Sequence, residues 1–278
     1  MFNYIFEGDL VAENYGLNGE IISIFDHVIN IKTDINKGYA LTDMKVVKAP
    51  YHINLPEYIF KPIHKKIKEK DRILLDNNKI IYKKRDTYLN NKKTFSGNIK
   101  KSTNVDKGKL IKMTEKVIRE TENLGSLDKS ILYYNKIINN LNREKLTVLQ
   151  KEFYRRLKNI LNNDSDIKEL LGLGIGLTPT GDDFLVGYLS LVEANIIKDK
   201  LNVRNNLNIN DIFEQTTTVS ALHLKAALKH QFNGKLVDIY KDLEDNPEQY
   251  IKNAKNLLKI GSSSGLDTLS GIYFGLIS

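Results

Sequence analysis

The sequence predicts an α+β protein, with a small β-barrel or sandwich first and a mainly α-helical region after it. Three observations lead there. Short β-branched runs divided by turn residues fill residues 1–95. From residue 107 to 278 the apolar spacing becomes helical. Between them, residues 96–106 close a polar Lys/Asn-rich stretch and form the candidate linker.

The strands come first. Gly19–Phe25 and His27–Ile31 are β-branched runs, and Asn36-Lys37-Gly38 is a turn signal before Tyr39–Thr42. Pro50 and Pro56 interrupt the next stretch of the chain. Asp71–Leu75 and Lys79–Tyr82 flank Asp76-Asn77-Asn78, which predicts a hairpin. In the second region Leu110, Met113, Val117 and Ile118 share one helical face. The pattern continues over Ile131–Leu141, Leu146–Leu161, Phe184–Ile197, Ile212–Leu228, Leu236–Leu243, Tyr250–Ile260 and Asp267–Leu276.

Bulk properties narrow the function classes. A chain of 278 residues with 41% hydrophobic and 27% charged residues suits one large or two modest globular domains. The absence of Cys removes disulfides and Cys-ligated metals. The amino terminus lacks the basic start and apolar core of a signal peptide, and no apolar run nears the roughly 20 residues that span a bilayer. A cytoplasmic protein without membrane contact is expected. The net charge of +8 raises nucleic acid as a partner, through Lys65–Lys70 and Lys79–Lys101. Lys and Asn are abundant along the whole chain, however, while Arg is sparse and aromatics do not interleave the basic runs. No nucleic-acid partner is expected.

Two turns carry the chemistry. In Gly172-Leu173-Gly174-Ile175-Gly176-Leu177-Thr178-Pro179-Thr180-Gly181-Asp182-Asp183, four glycines fall within ten positions and a helix begins at once after them. Glycine-loosened backbone before a helix start suits a small anion, because free N–H groups and the positive dipole end point into the loop. The loop has no Lys after its last glycine and is neither a Walker loop nor a dinucleotide fingerprint. Asp182 and Asp183 would repel a bare phosphate unless a divalent cation bridged them, which makes Mg2+ the candidate cofactor, held by these two residues. No other cofactor is indicated.

The second turn is Gly261–Gly271. Thr180-Gly181-Asp182-Asp183-Phe184-Leu185-Val186-Gly187 aligns with Ser264-Gly265-Leu266-Asp267-Thr268-Leu269-Ser270-Gly271. Hydroxyl, Gly, Asp, Leu and Gly recur in one order, which suggests a duplicated helix opening whose two copies face one cleft. A hydroxyl three residues before an acid also resembles a capping box, and taken singly Thr180, Ser264 and Asp267 read first as caps. Gly187, Gly271 and Gly275 read as packing positions. His223 and His230 lie two helical turns apart, too far for one metal ion, and His27, His52 and His64 have no partner visible in the sequence.

The stretch Gly172–Leu185 resembles the signature of the AllH-like family of bacterial proteins, formerly a domain of unknown function and linked to oxamate carbamoyltransferase in allantoin degradation. Ser23–Asn30, Ala49-Pro50 with Ile53-Asn54-Leu55, Thr216–Ser220 and Gly261–Gly271 resemble further family elements in the same order. Ser262 and Leu266 stand where the family often has His and Trp.

The resemblance implies carbamoyl transfer between phosphate and oxamate by a complex of several subunits, with a small anionic substrate and other subunits as partners. On that reading the N–H groups of Gly174, Gly176 and Gly181 hold the anion, and Thr178, Thr180, Ser263 and Ser264 donate hydrogen bonds, with Gly265 and Thr268 beside them. Asp182, Asp183 and Asp267 are the catalytic candidates, holding a cation or orienting an amide nitrogen. Two alternatives stay open: a non-catalytic scaffold or ligand-sensing subunit, and a stand-alone Mg2+–nucleotide-dependent enzyme acting on a small acid.

Overall fold

The computed structural model describes residues 4–122, 125–141, 144–241, 243 and 246–278. They group into two compact units. One comprises Met1–Asn98 with Lys229–Gly234, the other Ile99–Leu228 with Lys235–Ser278.

The first unit holds β1 (Ile5–Gly8), β2 (Asn18–Phe25), β3 (Val28–Asp34), β4 (Lys37–Asp43), β5 (His52–Leu55), α1 (Glu57–His64), β6 (Arg72–Asp76), β7 (Lys79–Tyr82), β8 (Arg85–Tyr88) and β9 (Lys92–Phe95). They form a single nine-stranded sheet in the order β8-β7-β6-β2-β3-β4-β5-β1-β9. The sheet curls into a half-barrel. Period-two alternation sends Ile29, Ile31, Tyr39, Leu41, Ile53 and Leu55 to one side, where Phe60 and Ile63 of α1 join them.

The β-branched runs become β2, β3, β4, β6 and β7. The edge strands β8 and β9 fall in the polar Lys/Asn-rich end of the 1–95 region, where the sequence marks no β-branched run. Their alternation is polar because an edge strand buries little and is kept charged against further pairing. At the β9 edge, the Lys92 ammonium donates to both Glu7 carboxylate oxygens at 3.1 Å and to the Tyr15 hydroxyl at 3.0 Å. Burial first, then the bond to Glu7, pushes the Tyr15 phenol up. The histidines of this unit have structural partners: His27 Nδ1 lies 2.7 Å from Asp43 Oδ2, His52 Nδ1 3.1 Å from the Val47 carbonyl and His64 Nε2 3.0 Å from the Phe25 carbonyl.

The second unit is helical: α2 (Lys107–Glu120), α3 (Tyr134–Asn139), α4 (Val148–Leu161), α5 (Thr180–Glu193), α6 (Val203–Asn206), α7 (Ile209–Gln215), α8 (Thr218–Leu228), α9 (Gly234–Lys241), α10 (Pro247–Leu257) and α11 (Ser264–Ile277). Its core centres on α5 and α11, which are buried along most of their length. Phe184 and Phe274 pack at a tilt with centroids 5.3 Å apart, Phe153 meets Phe184 edge-on at 5.0 Å, and Tyr134 meets Phe274 edge-on at 5.2 Å. Among the described residues no helix is long and apolar enough to cross a membrane.

One expected helix is broken. Ile212–Leu228 is α7 and α8, divided at Thr216, whose backbone is extended (φ −135°, ψ −179°). The hydroxyl of Thr217 accepts from the Ser220 N–H at 3.1 Å and donates to the Leu177 carbonyl. Side-chain bonds of this kind compete with the helical ladder and restart it.

Candidate functional site

The two sequence-related openings meet. Gly187 of α5 presses on the Thr268 carbonyl of α11, and Gly271 of α11 presses on the Phe184 carbonyl of α5; a Cβ at either glycine would collide with that backbone. Gly275 packs on Leu191 and Tyr188. Contacts that track the sequence alignment in this way require two helices side by side, in register and pointing the same way. Their N-termini are therefore neighbours, and the Thr178 and Ser264 hydroxyls hydrogen-bond across at 2.6 Å.

The capping reading of Thr180 and Ser264 is corrected here. The residues before the two helices are Pro179 and Ser263, and neither makes a side-chain cap bond. Thr180 and Ser264 are the first helical residues instead, so their hydroxyls are turned to other uses.

Asp182 and Asp183 part company, because consecutive helical residues diverge by about 100°. Asp182 faces α8. Its Oδ1 accepts from the Gly172 N–H at 3.0 Å, and its Oδ2 accepts from the Ser220 hydroxyl at 2.7 Å and from the Thr216 hydroxyl. Burial raises its pKa and these three donors work against the rise. Asp182 thus ties the glycine loop to the broken helix. Asp183 faces α11. Burial pushes it well up, Asp267 adds to the rise, and the Ser264 and Thr178 hydroxyls oppose it. Asp182 and Asp183 therefore do not converge on one ion. Among the described residues no group of three His, Asp or Glu side chains is placed to hold a metal.

Asp267 is the counterpart of Asp183. Its Oδ1 accepts from the Leu127 N–H at 3.1 Å. Burial pushes it up to about 6, against the bond from Leu127 and the polar neighbours Thr180 and Ser126. Asp183 Oδ2, Asp267 Oδ2 and Thr180 Oγ1 are buried without a hydrogen-bond partner. Buried polar atoms without partners are costly, and here three gather around one pair of helix starts. The positive ends of both dipoles favour negative charge there.

The loop and turn that precede the two helices are more exposed than the helix starts themselves. Gly174 (φ +136°) and Gly176 (φ +87°) hold the loop in conformations that favour glycine, and Gly176 is exposed. Ile175 is 83% exposed between them. Ser263 and Ser264 are half-buried on the facing turn. Gly181 and Gly265 belong to the packing: their N–H groups donate to the Leu173 and Ile260 carbonyls at 2.9 and 3.1 Å, and a Cβ on either would collide with the Leu170 or Leu257 carbonyl. Thr268 is buried, its carbonyl under Gly187.

The sequence marks Thr216 and Ser220 only as part of a family-like element, with no role at the site. Their signal was a run of hydroxyl residues inside an otherwise apolar helical pattern. The Ser126–Leu127 segment, which meets Asp267, carried no signal.

A family model described as oxamate carbamoyltransferase subunit AllH matches residues 170–276, and one described as the AllH family N-terminal domain matches residues 4–96. No solved structure matches the chain.

Proposed function

The chain belongs to the AllH family, and from this premise we propose that it serves as one subunit of an oxamate carbamoyltransferase-type complex and that the paired openings of α5 and α11 hold its small anionic substrate. The observation that carries the reading is the Thr178–Ser264 hydrogen bond, which brings two remote turns together over Asp183 and Asp267.

The roles derive from placement. Gly174, Gly176 and the neighbouring dipole ends offer positive potential at the rim, suited to a carboxylate or phosphate. Thr178, Ser263 and Ser264 supply hydroxyl donors there. Asp183 and Asp267 are the proposed groups that exchange protons with the substrate or orient it, since burial raises both acids above a free carboxylate. Asp182 is a positioning residue. The other subunits supply the rest of the catalytic machinery.

The test is reconstitution with partner subunits and assay of carbamoyl transfer. Asp183→Asn is expected to leave assembly intact and remove most activity. Full activity in that variant overturns the assignment. Assembly with unchanged turnover in every site variant favours the scaffold reading instead.

A further inference from the structure

Thr180, Asp183 and Asp267 are 1%, 7% and 0% exposed, and Thr180 Oγ1, Asp183 Oδ2 and Asp267 Oδ2 have no partner. Two are carboxyl oxygens, which keep acceptor lone pairs whether or not the acid is ionised, and one is a hydroxyl, which can donate. A primary carboxamide carries the complement: two N–H donors and one carbonyl acceptor. A bare anion does not, because its oxygens would face the Asp267 carboxylate at close range. A cation is not favoured either, since Asp182, the third acid of the cluster, spends both oxygens on Gly172, Thr216 and Ser220.

We infer that Asp183, Asp267 and Thr180 form a carboxamide-reading floor, which takes the amide end of the substrate inward and leaves its carboxylate at the Gly174–Gly176 rim. The inference rests on the proposal that the paired openings are the substrate site. The amide N–H groups donate to Asp183 Oδ2 and Asp267 Oδ2, and the Thr180 hydroxyl donates to the amide carbonyl. The Thr178–Ser264 hydrogen bond lies over Asp183 and parts to admit the ligand. Such a floor sets specificity more than affinity, because an analogue lacking the N–H groups leaves buried oxygens unpaired.

Oxamate and oxalate differ by the exchange of this amide for a carboxylate. Calorimetric titration of each into the full chain should show wild type preferring oxamate by at least about tenfold. Asp267→Asn puts an N–H donor where an acceptor stood and should abolish or reverse that preference. Thr180→Val, which leaves both acids in place, should weaken oxamate by about tenfold and keeps the test decisive if the first variant misfolds. Equal affinity for both ligands, or an unchanged preference in the folded variants, overturns the carboxamide floor alone. Binding of neither ligand to wild type overturns the substrate-site reading and this inference with it.

Discussion

Gly187 and Gly271 each press on the other's helix, Gly187 against the Thr268 carbonyl and Gly271 against the Phe184 carbonyl. The exchange is reciprocal, since Phe184 and Thr268 are themselves matching positions of the two repeats. The pair sets how closely α5 and α11 approach, and so where their N-termini lie.

Gly271→Ala should therefore destabilise the chain by about 2–3 kcal/mol, because backbone on the opposite helix cannot yield as a side chain can. Gly187→Ala should cost about the same, and the double variant less than the sum, since one displacement relieves both clashes. Denaturant midpoints check this. Additive effects would show that the two contacts are independent.

Asp182→Ala leaves the Gly172 N–H and the Thr216 and Ser220 hydroxyls without their acceptor. The expected loss is about 3 kcal/mol. Limited proteolysis should find residues 172–178 cut faster, because the anchor of the loop is gone. An unchanged melting temperature and cleavage pattern would contradict the positioning role.

Asp267 carries a pH signature. Its pKa stands at about 6 in the folded chain against an ordinary 3.8. The folded state thus holds a proton that the unfolded state releases, so this residue's contribution to stability falls as pH rises from about 4 to about 6, by about 3 kcal/mol, and is flat at higher pH. Asp267→Asn cannot ionise. Its stability relative to wild type should climb across that window and then level off, which thermal melts at stepped pH would read. A constant difference would mean that Asp267 is not held up.

The Thr180 hydroxyl lies beside Asp267 without a well-formed hydrogen bond, so Thr180→Val should change the stability of the free chain by less than about 1 kcal/mol while weakening ligand. A loss greater than about 1 kcal/mol would show that the hydroxyl is bonded after all.

The fold was legible where side chains alternate against the core. Ile29, Ile31, Leu41 and Ile53 announce their strands, and the pattern around Phe184 and Phe274 announces two buried helices. Edge strands β8 and β9 were not individually legible, because edges are polar for reasons of solubility and lack the apolar alternation of inner strands. The helix break at Thr216 was hidden because the hydroxyl groups that cause it bond to Asp182 and Leu177, far away in the chain. At the site, the duplication of Thr180–Gly187 in Ser264–Gly271 was visible as a pattern. Which carboxylate faced the twin helix was not, since Asp182 and Asp183 are adjacent in sequence and only the angle of the helix separates their tasks.

The central claim is that the two openings act as one site, and hydrogen exchange of the full chain with and without oxamate and carbamoyl phosphate tests it most directly. Residues 172–178 and 261–264 should slow together when ligand is added. Protection of one segment without the other, or protection confined to a different part of the chain, would contradict the claim.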